Sequence, residues 1–217
     1  MVVISLFYMH IYLPSSQFNY LNASPFQKST NGEDADFSTN VEVSFDEHYL
    51  KINFSCRDNF YTSENQMFQH NSPLYNQEVF EVFIGVGQED TKTYFEIEIN
   101  PNNALWIGKI SNPDLGDSLQ QVEAQMTPEE TGILHKTTVT QNSWSGHLHL
   151  PWSFIGKDEE GHYRINFYRI RSKESHASPQ WVCDEQTCDF VCWQSTLSGE
   201  TAAFHRPKRF GYLKVNH

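Results

Sequence analysis

The stretch Val41-Glu-Val-Ser-Phe-Asp-Glu-His-Tyr-Leu-Lys-Ile-Asn-Phe-Ser-Cys56 decides the fold. Val41, Val43 and Phe45 alternate with Glu42 and Ser44. After the turn residues Asp46-Glu47-His48, Leu50, Ile52, Phe54 and Cys56 alternate with Lys51, Asn53 and Ser55. Successive side chains of a strand point to opposite faces, so apolar residues held in one phase of a two-residue period predict a β-hairpin with one buried face.

The same pattern extends outward. Val79 to Ile84 reads as a strand closed by Gly85-Val86-Gly87. Phe95, Ile97 and Ile99 alternate with Tyr94, Glu96 and Glu98, and Asn100-Pro101-Asn102-Asn103 supplies turn chemistry before a strand over Ala104 to Ile110. Further strands are expected at Ile133 to Thr140, around Trp144 to Pro151, at Tyr163 to Ile170 and at Phe210 to Val215. Trp152 to Gly156 reads as one short helical turn. Polar stretches over 57–77, 111–128 and 171–203 read as loops, long enough to suggest function. No window carries helical periodicity, so the expected fold is an all-β antiparallel sandwich of jelly-roll or immunoglobulin-like layout. One such domain accounts for residues 17–217. Residues 1–16 begin with an apolar run, Met1 to Leu13, that reads equally as a signal peptide or a first strand. The run falls short of the ~18 apolar residues of a membrane span.

Aspartate and glutamate number 27 against 15 lysines and arginines, a net charge of −12. That balance repels phosphate backbones and anionic lipid, which argues against nucleic acid and membrane partners but not against uncharged ligands. The four cysteines, Cys56, Cys183, Cys188 and Cys192, permit two disulfides in three connectivities. With the sequons Asn22-Ala-Ser24 and Asn53-Phe-Ser55 they favour an extracellular protein over the cytoplasmic alternative. The Cys-x4-Cys-x3-Cys spacing is not that of a zinc site.

Three segments in order carry a family likeness. The first runs from Val41 through the Tyr49-Leu50 pair to Asp58. The second joins Leu74-Tyr-Asn-Gln-Glu-Val-Phe-Glu-Val-Phe-Ile84 to Tyr94-Phe-Glu-Ile-Glu-Ile-Asn-Pro101. The third joins Arg164-Ile-Asn-Phe-Tyr-Arg169, Cys192-Trp193 and Phe204-His-Arg-Pro-Lys-Arg-Phe-Gly211. Together they resemble the family 9 carbohydrate-binding modules over about Val41 to Val215. The resemblance implies a sandwich related to the DOMON group, binding an oligosaccharide or polysaccharide without cleaving it. It implies two aromatic rings clamping a sugar, with Tyr75 and Trp193 at those positions, and Glu81 accepting from sugar hydroxyls. It also implies, by analogy with some members, a structural calcium ion. The sequence departs from the pattern at Tyr75, where tryptophan is usual, and at Glu98, a candidate sugar contact where some members carry arginine.

Residue chemistry suits such a ligand. An aromatic face attracts the C–H face of a pyranose, and polar side chains must pair each hydroxyl that loses water. Trp106, just after a turn, is placed to line the same face. Asn166 and Arg169 are candidate donors to the sugar, and His205, a further candidate contact, is expected to reach Asn166 or Arg169 across the sandwich end. Trp144 reads as core and Trp181 as a rim residue. Glu96 and Glu98 share one strand face and read as solvated, because a glycosidase needs two acids flanking a bond from opposite sides. His147 and His149 share a face without a third metal ligand in register.

Three other functions remain open. A haem-binding electron carrier would use Met67, His70 or Met126 as axial ligands. A protein-interaction module would use the same aromatic end face. A hydrolase is disfavoured: there is no His-Glu-x-x-His, no Gly-x-Ser-x-Gly and no phosphate-binding glycine loop.

Overall fold

The computed structural model describes residues 8–13, 25–176 and 181–216. In chain order the strands are β1 (His10–Leu13), β2 (Gln27–Lys28), β3 (Thr39–Phe45), β4 (Tyr49–Arg57), β5 (Val79–Val86), β6 (Thr93–Ile99) and β7 (Leu105–Ser111). There follow β8 (Gln121–Gln125), β9 (Leu134–Val139), β10 (Ser143–Pro151), β11 (His162–Ser172), β12 (Cys188–Cys192) and β13 (Gly211–Val215). The hairpin read from Val41 to Cys56 is β3–β4, with Val43 opposite Ile52 and Phe45 opposite Leu50. The expected helical turn is present at Trp152–Ile155.

Two sheets pack face to face as an all-β sandwich, mostly antiparallel. The smaller has the order β3-β4-β10-β9. The larger runs β1-β13-β11-β5-β6-β7-β8, with β12 and β2 joined to it through β11. β1 pairs β13 in parallel, so His10–Leu13 is a strand of this sheet. Residues 1–7 and 14–16 of the segment read as leader or first strand, and the sequon at Asn22, lie outside the described residues.

The core between the sheets collects one phase of each strand. Val41, Val43, Leu50, Ile52 and Phe54 of the small sheet meet Phe80, Val82, Ile97, Ile107, Ile165 and Phe167 of the large one. Phe54 stacks on Phe80 at 4.2 Å and takes the edge of Trp144 at 5.1 Å, so Trp144 is core as expected. Each such side chain contributes about 1.5–3 kcal/mol by leaving water.

The opposite phase of the large sheet is also covered. Val79, Phe83, Tyr94, Ile110, Tyr168 and Ile170 form a second apolar cluster with Leu74, Phe204 and Phe210. Loops over the outer face of this sheet therefore bury residues that a simple inside–outside reading leaves in water. That layer holds the candidate site.

Candidate functional site

Strand parity builds the floor of the site. On β5, Phe80 and Val82 go to the core between the sheets, which sends Glu81 and Phe83 outward. On β6 and β7 the same alternation turns Tyr94, Glu96, Glu98, Trp106, Gly108 and Ile110 outward. Register then aligns two rows across the sheet. Tyr168, Glu81, Glu98 and Trp106 lie opposite one another in turn on β11, β5, β6 and β7. The neighbouring row is Asn166, Phe83, Glu96 and Gly108. Directly opposed residues have Cβ atoms about 4.5–5.5 Å apart, so neighbours in a row interact.

A cleft of about 1000 Å³ lies over this floor. Glu81, Glu96, Glu98 and Trp106 form its base. Tyr75, half exposed, stands on one wall; Phe190, Phe204 and His205 form another, and Leu119 lies on the solvent side. The Cys183–Cys188 disulfide ties the wall that carries Cys183 to the start of β12. It is the one disulfide among the described residues; Cys56 and Cys192 are buried free thiols.

The three glutamates are buried, not solvated. Glu98 is 1% exposed, Glu81 2% and Glu96 7%. Their strand face looked polar in sequence, and the loops that roof it were not visible there. Burial pushes all three carboxyls up, Glu96 to about 8 and the other two well above the carboxylate range, with Glu81 and Glu96 adding repulsion at Glu98. Glu96 and Glu98 are hydrogen-bonded to each other, and the Tyr75 backbone N–H donates to Glu98. At neutral pH the floor therefore holds protons, and a carboxylic acid both donates and accepts.

His205 is held by the phenol of Tyr94, 2.6 Å from its Nδ1, and packs 5.0 Å from Phe83. It contacts neither Asn166 nor Arg169, contrary to expectation. Burial lowers its pKa to about 4, so it is neutral at pH 7. Its Nε2 lies 3.9 Å from Glu96, beyond direct hydrogen bonding. Asn112 fixes this wall by donating to the His205 carbonyl at 3.2 Å and accepting from Gly116 N–H at 2.8 Å.

Several expected site residues lie elsewhere. Trp193 is 2% exposed in the core between the sheets, 5.7 Å from Phe167, and does not line the cleft. It cannot clamp a ligand against Tyr75. Arg169 is fully buried on the same inner face, where its Nε donates to Glu78 at 2.9 Å. Glu78 also accepts from Trp144 Nε1 at 2.8 Å, so Arg169 belongs to a structural ion pair. Asn166 shares the outer face, but both its amide groups are bound to the Gln194 backbone, donating at 2.8 Å and accepting at 2.9 Å. Tyr75, Glu81, Glu98, Trp106 and His205 do converge. Glu96, Phe190 and Phe204 complete the lining and were missed. Alternation held the signal for two of them: Glu96 shares the phase of Glu98, and Phe190 the phase opposite Trp193.

The alternative readings find little support in the geometry. Met67 packs against the outer cluster and Met126 against the inner core, while His70 Nδ1 accepts from Leu105 N–H at 3.0 Å. None of the three lines the cleft. Among the described residues no group of three or more His, Cys, Asp or Glu side chains is arranged to hold a metal ion. His147 and His149 stack on each other at 4.8 Å. Among the described residues no helix is long and apolar enough to cross a membrane.

Solved structures with this arrangement of sheets include two sugar complexes. A family 9 carbohydrate-binding module from Caldicellulosiruptor kristjanssonii, in complex with cellotriose, superposes with a TM-score of 0.55 at 12% identity, covering 96% of this chain and 94% of that one. The chain has the fold of a family 9 carbohydrate-binding module. The glucose complex of a family 9 module from the same organism gives 0.54 at 13% identity, with 96% of each chain covered. A Bacteroides uniformis protein described as a candidate carbohydrate-binding protein superposes on this chain with a TM-score of 0.59 at 15% identity, covering 95% of this chain and 99% of that one. No protein-family model matches the sequence. A protein of Arthroderma benhamiae named "Extracellular protein" is 28% identical over 146 residues, 64% of this chain. The alignment spans 66% of that relative, just under two thirds of its length. On this family 9 scaffold the outer-face cleft keeps Tyr75 and Glu81 at its edge and floor. Trp193, which the motif order assigned to the second clamp, serves the core.

Proposed function

We propose that the protein binds carbohydrate in the outer-face cleft and does not cleave it. The observation that carries this reading is the indole of Trp106 lying over Gly108, beside the buried Glu81–Glu98 pair. A flat ring accepts the C–H face of a pyranose while adjacent carboxyls pair its hydroxyls, which is the division of labour a sugar requires. Tyr75 supplies a second ring at the wall, and the neutral His205 edge adds a further polar group. All three glutamates rise from one floor. They do not flank a bond from two sides, which supports binding over hydrolysis. The disulfide and the relative named as extracellular support a secreted location.

Calorimetric titration with soluble oligosaccharides tests the proposal. Trp106→Ala should lower affinity at least about tenfold, a loss of about 1.4 kcal/mol, with the circular dichroism spectrum unchanged. Undiminished binding in that variant would remove the cleft from consideration. Release of new reducing ends from the same oligosaccharides would refute the non-catalytic reading.

A further inference from the structure

The acids of the cleft floor differ from those that the arginines of β11 hold. Glu78 is matched by Arg169, Asp90 by Arg164 and Asp189 by Arg171, at 2.7–2.9 Å. Among the described residues no lysine or arginine pairs with Glu81, Glu96 or Glu98 in this way. The groups around them are Tyr168 on β11, Tyr94 and Trp106 on the floor, Tyr75 on one wall, and Asp117, His205 and Arg206 on the loops. His205 is uncharged at neutral pH, and the Arg206 guanidinium is bound to the Gly116 carbonyl. Asp117 is turned to Lys208 at 3.2 Å. The Oε2 atom of Glu98, buried at the cleft base, has no hydrogen-bond partner.

Resting on the carbohydrate reading above, we propose that the preferred ligand is an amino sugar whose protonated amine docks on the Glu81–Glu96–Glu98 floor while its ring lies on Trp106. A buried carboxyl with a free oxygen costs about 1–3 kcal/mol unless a donor arrives. An ammonium brings three donors and the one charge the floor lacks. A metal ion would answer the same charge, but these side chains lack the arrangement to hold one. N-acetylation or a hydroxyl in place of the amine removes that charge. Because the floor holds protons at neutral pH, seating an ammonium ionises a glutamate, and about one proton leaves per ligand bound.

The test is titration of the full chain at pH 6 and 0.15 M salt with the glucosamine trimer, its N-acetylated form, cellotriose and spermidine. Buffers of different ionisation enthalpy report the proton released. The proposal expects the glucosamine trimer to bind at least about tenfold more tightly than cellotriose or the N-acetylated trimer, with about one proton released. Glu98→Gln should shrink that ratio, and Glu81→Gln serves if the first variant fails to fold. Equal or tighter binding of cellotriose would overturn the amine preference and leave the carbohydrate reading intact. Spermidine binding as tightly as the glucosamine trimer would overturn it by showing plain charge attraction. Failure of every oligosaccharide would sink the carbohydrate reading itself.

Discussion

Trp106 rests on the bare backbone of Gly108, its outward neighbour two residues along β7. A Cβ built on Gly108 would stand 2.3 Å from the indole, closer than atoms tolerate. The glycine thus sets the tilt of the ring that forms the cleft base. Gly108→Ala should push the indole off the sheet and reduce sugar affinity about tenfold, or about 1.4 kcal/mol. Its backbone needs no left-handed conformation, so thermal stability should change little. Titration of the variant alongside a melting curve checks both halves of this expectation.

Trp193 gives the opposite pattern. It fills the inner core against Phe167 and over Gly211, whose Cβ position would lie 2.4 Å from the ring. Trp193→Ala should lower stability by about 3–5 kcal/mol, as large-to-small changes of buried aromatics do. Trp193→Phe should cost less. Denaturant unfolding measures the loss, and titration of the folded fraction should give wild-type sugar affinity. A selective loss of affinity in Trp193→Phe with full stability would restore the clamp role denied to it here.

Arg169 should behave as a structural residue as well. Its charge is compensated by Glu78, which also takes the Trp144 indole N–H. Arg169→Met strands a buried carboxylate and should cost about 3–5 kcal/mol. Adding Glu78→Gln removes the stranded charge while keeping an acceptor for Trp144, and should recover much of the loss. Chemical denaturation of the single and double variants gives the coupling directly.

These residues show what alternation could and could not convey. The hairpin from Val41 to Cys56 was legible because one of its faces is apolar and the other polar. The sandwich followed from repeating that pattern. The outer face of β5 and β6 was not, because a roofing loop buries glutamates that look solvated in sequence. Motif order placed Trp193 at the cleft, whereas strand phase opposes it: Val191 and Trp193 share the inner face, and Phe190 turns to the cleft. Arg169 likewise shares the phase of Ile165 and Phe167, which marked it as an inner residue before any coordinates. The contact between His205 and Tyr94 spans 111 positions and has no local signature.

The protonated floor makes stability fall as pH rises above neutrality. Burial holds the Glu96 carboxyl at about 8 against its ordinary 4.5, so the folded protein keeps a proton that the unfolded chain has already released at pH 6.5. A raised carboxyl stabilises the fold fully below the unfolded value, and that contribution is lost as pH climbs through the folded one. Glu81 and Glu98, pushed up in the same direction, add to the effect. Below about pH 7.5 the histidines lowered by burial, His135, His149, His176 and His205, work the other way, because their unfolded forms take up protons first. The clean window is therefore about pH 7.5 to 8.5, across which Glu96 alone should account for a loss of about 0.7 kcal/mol. Urea unfolding at both ends of that window should show the decline, and Glu96→Gln should flatten it. A wild-type stability that holds constant or rises across the window would mean that the three carboxyls are ionised in the folded protein.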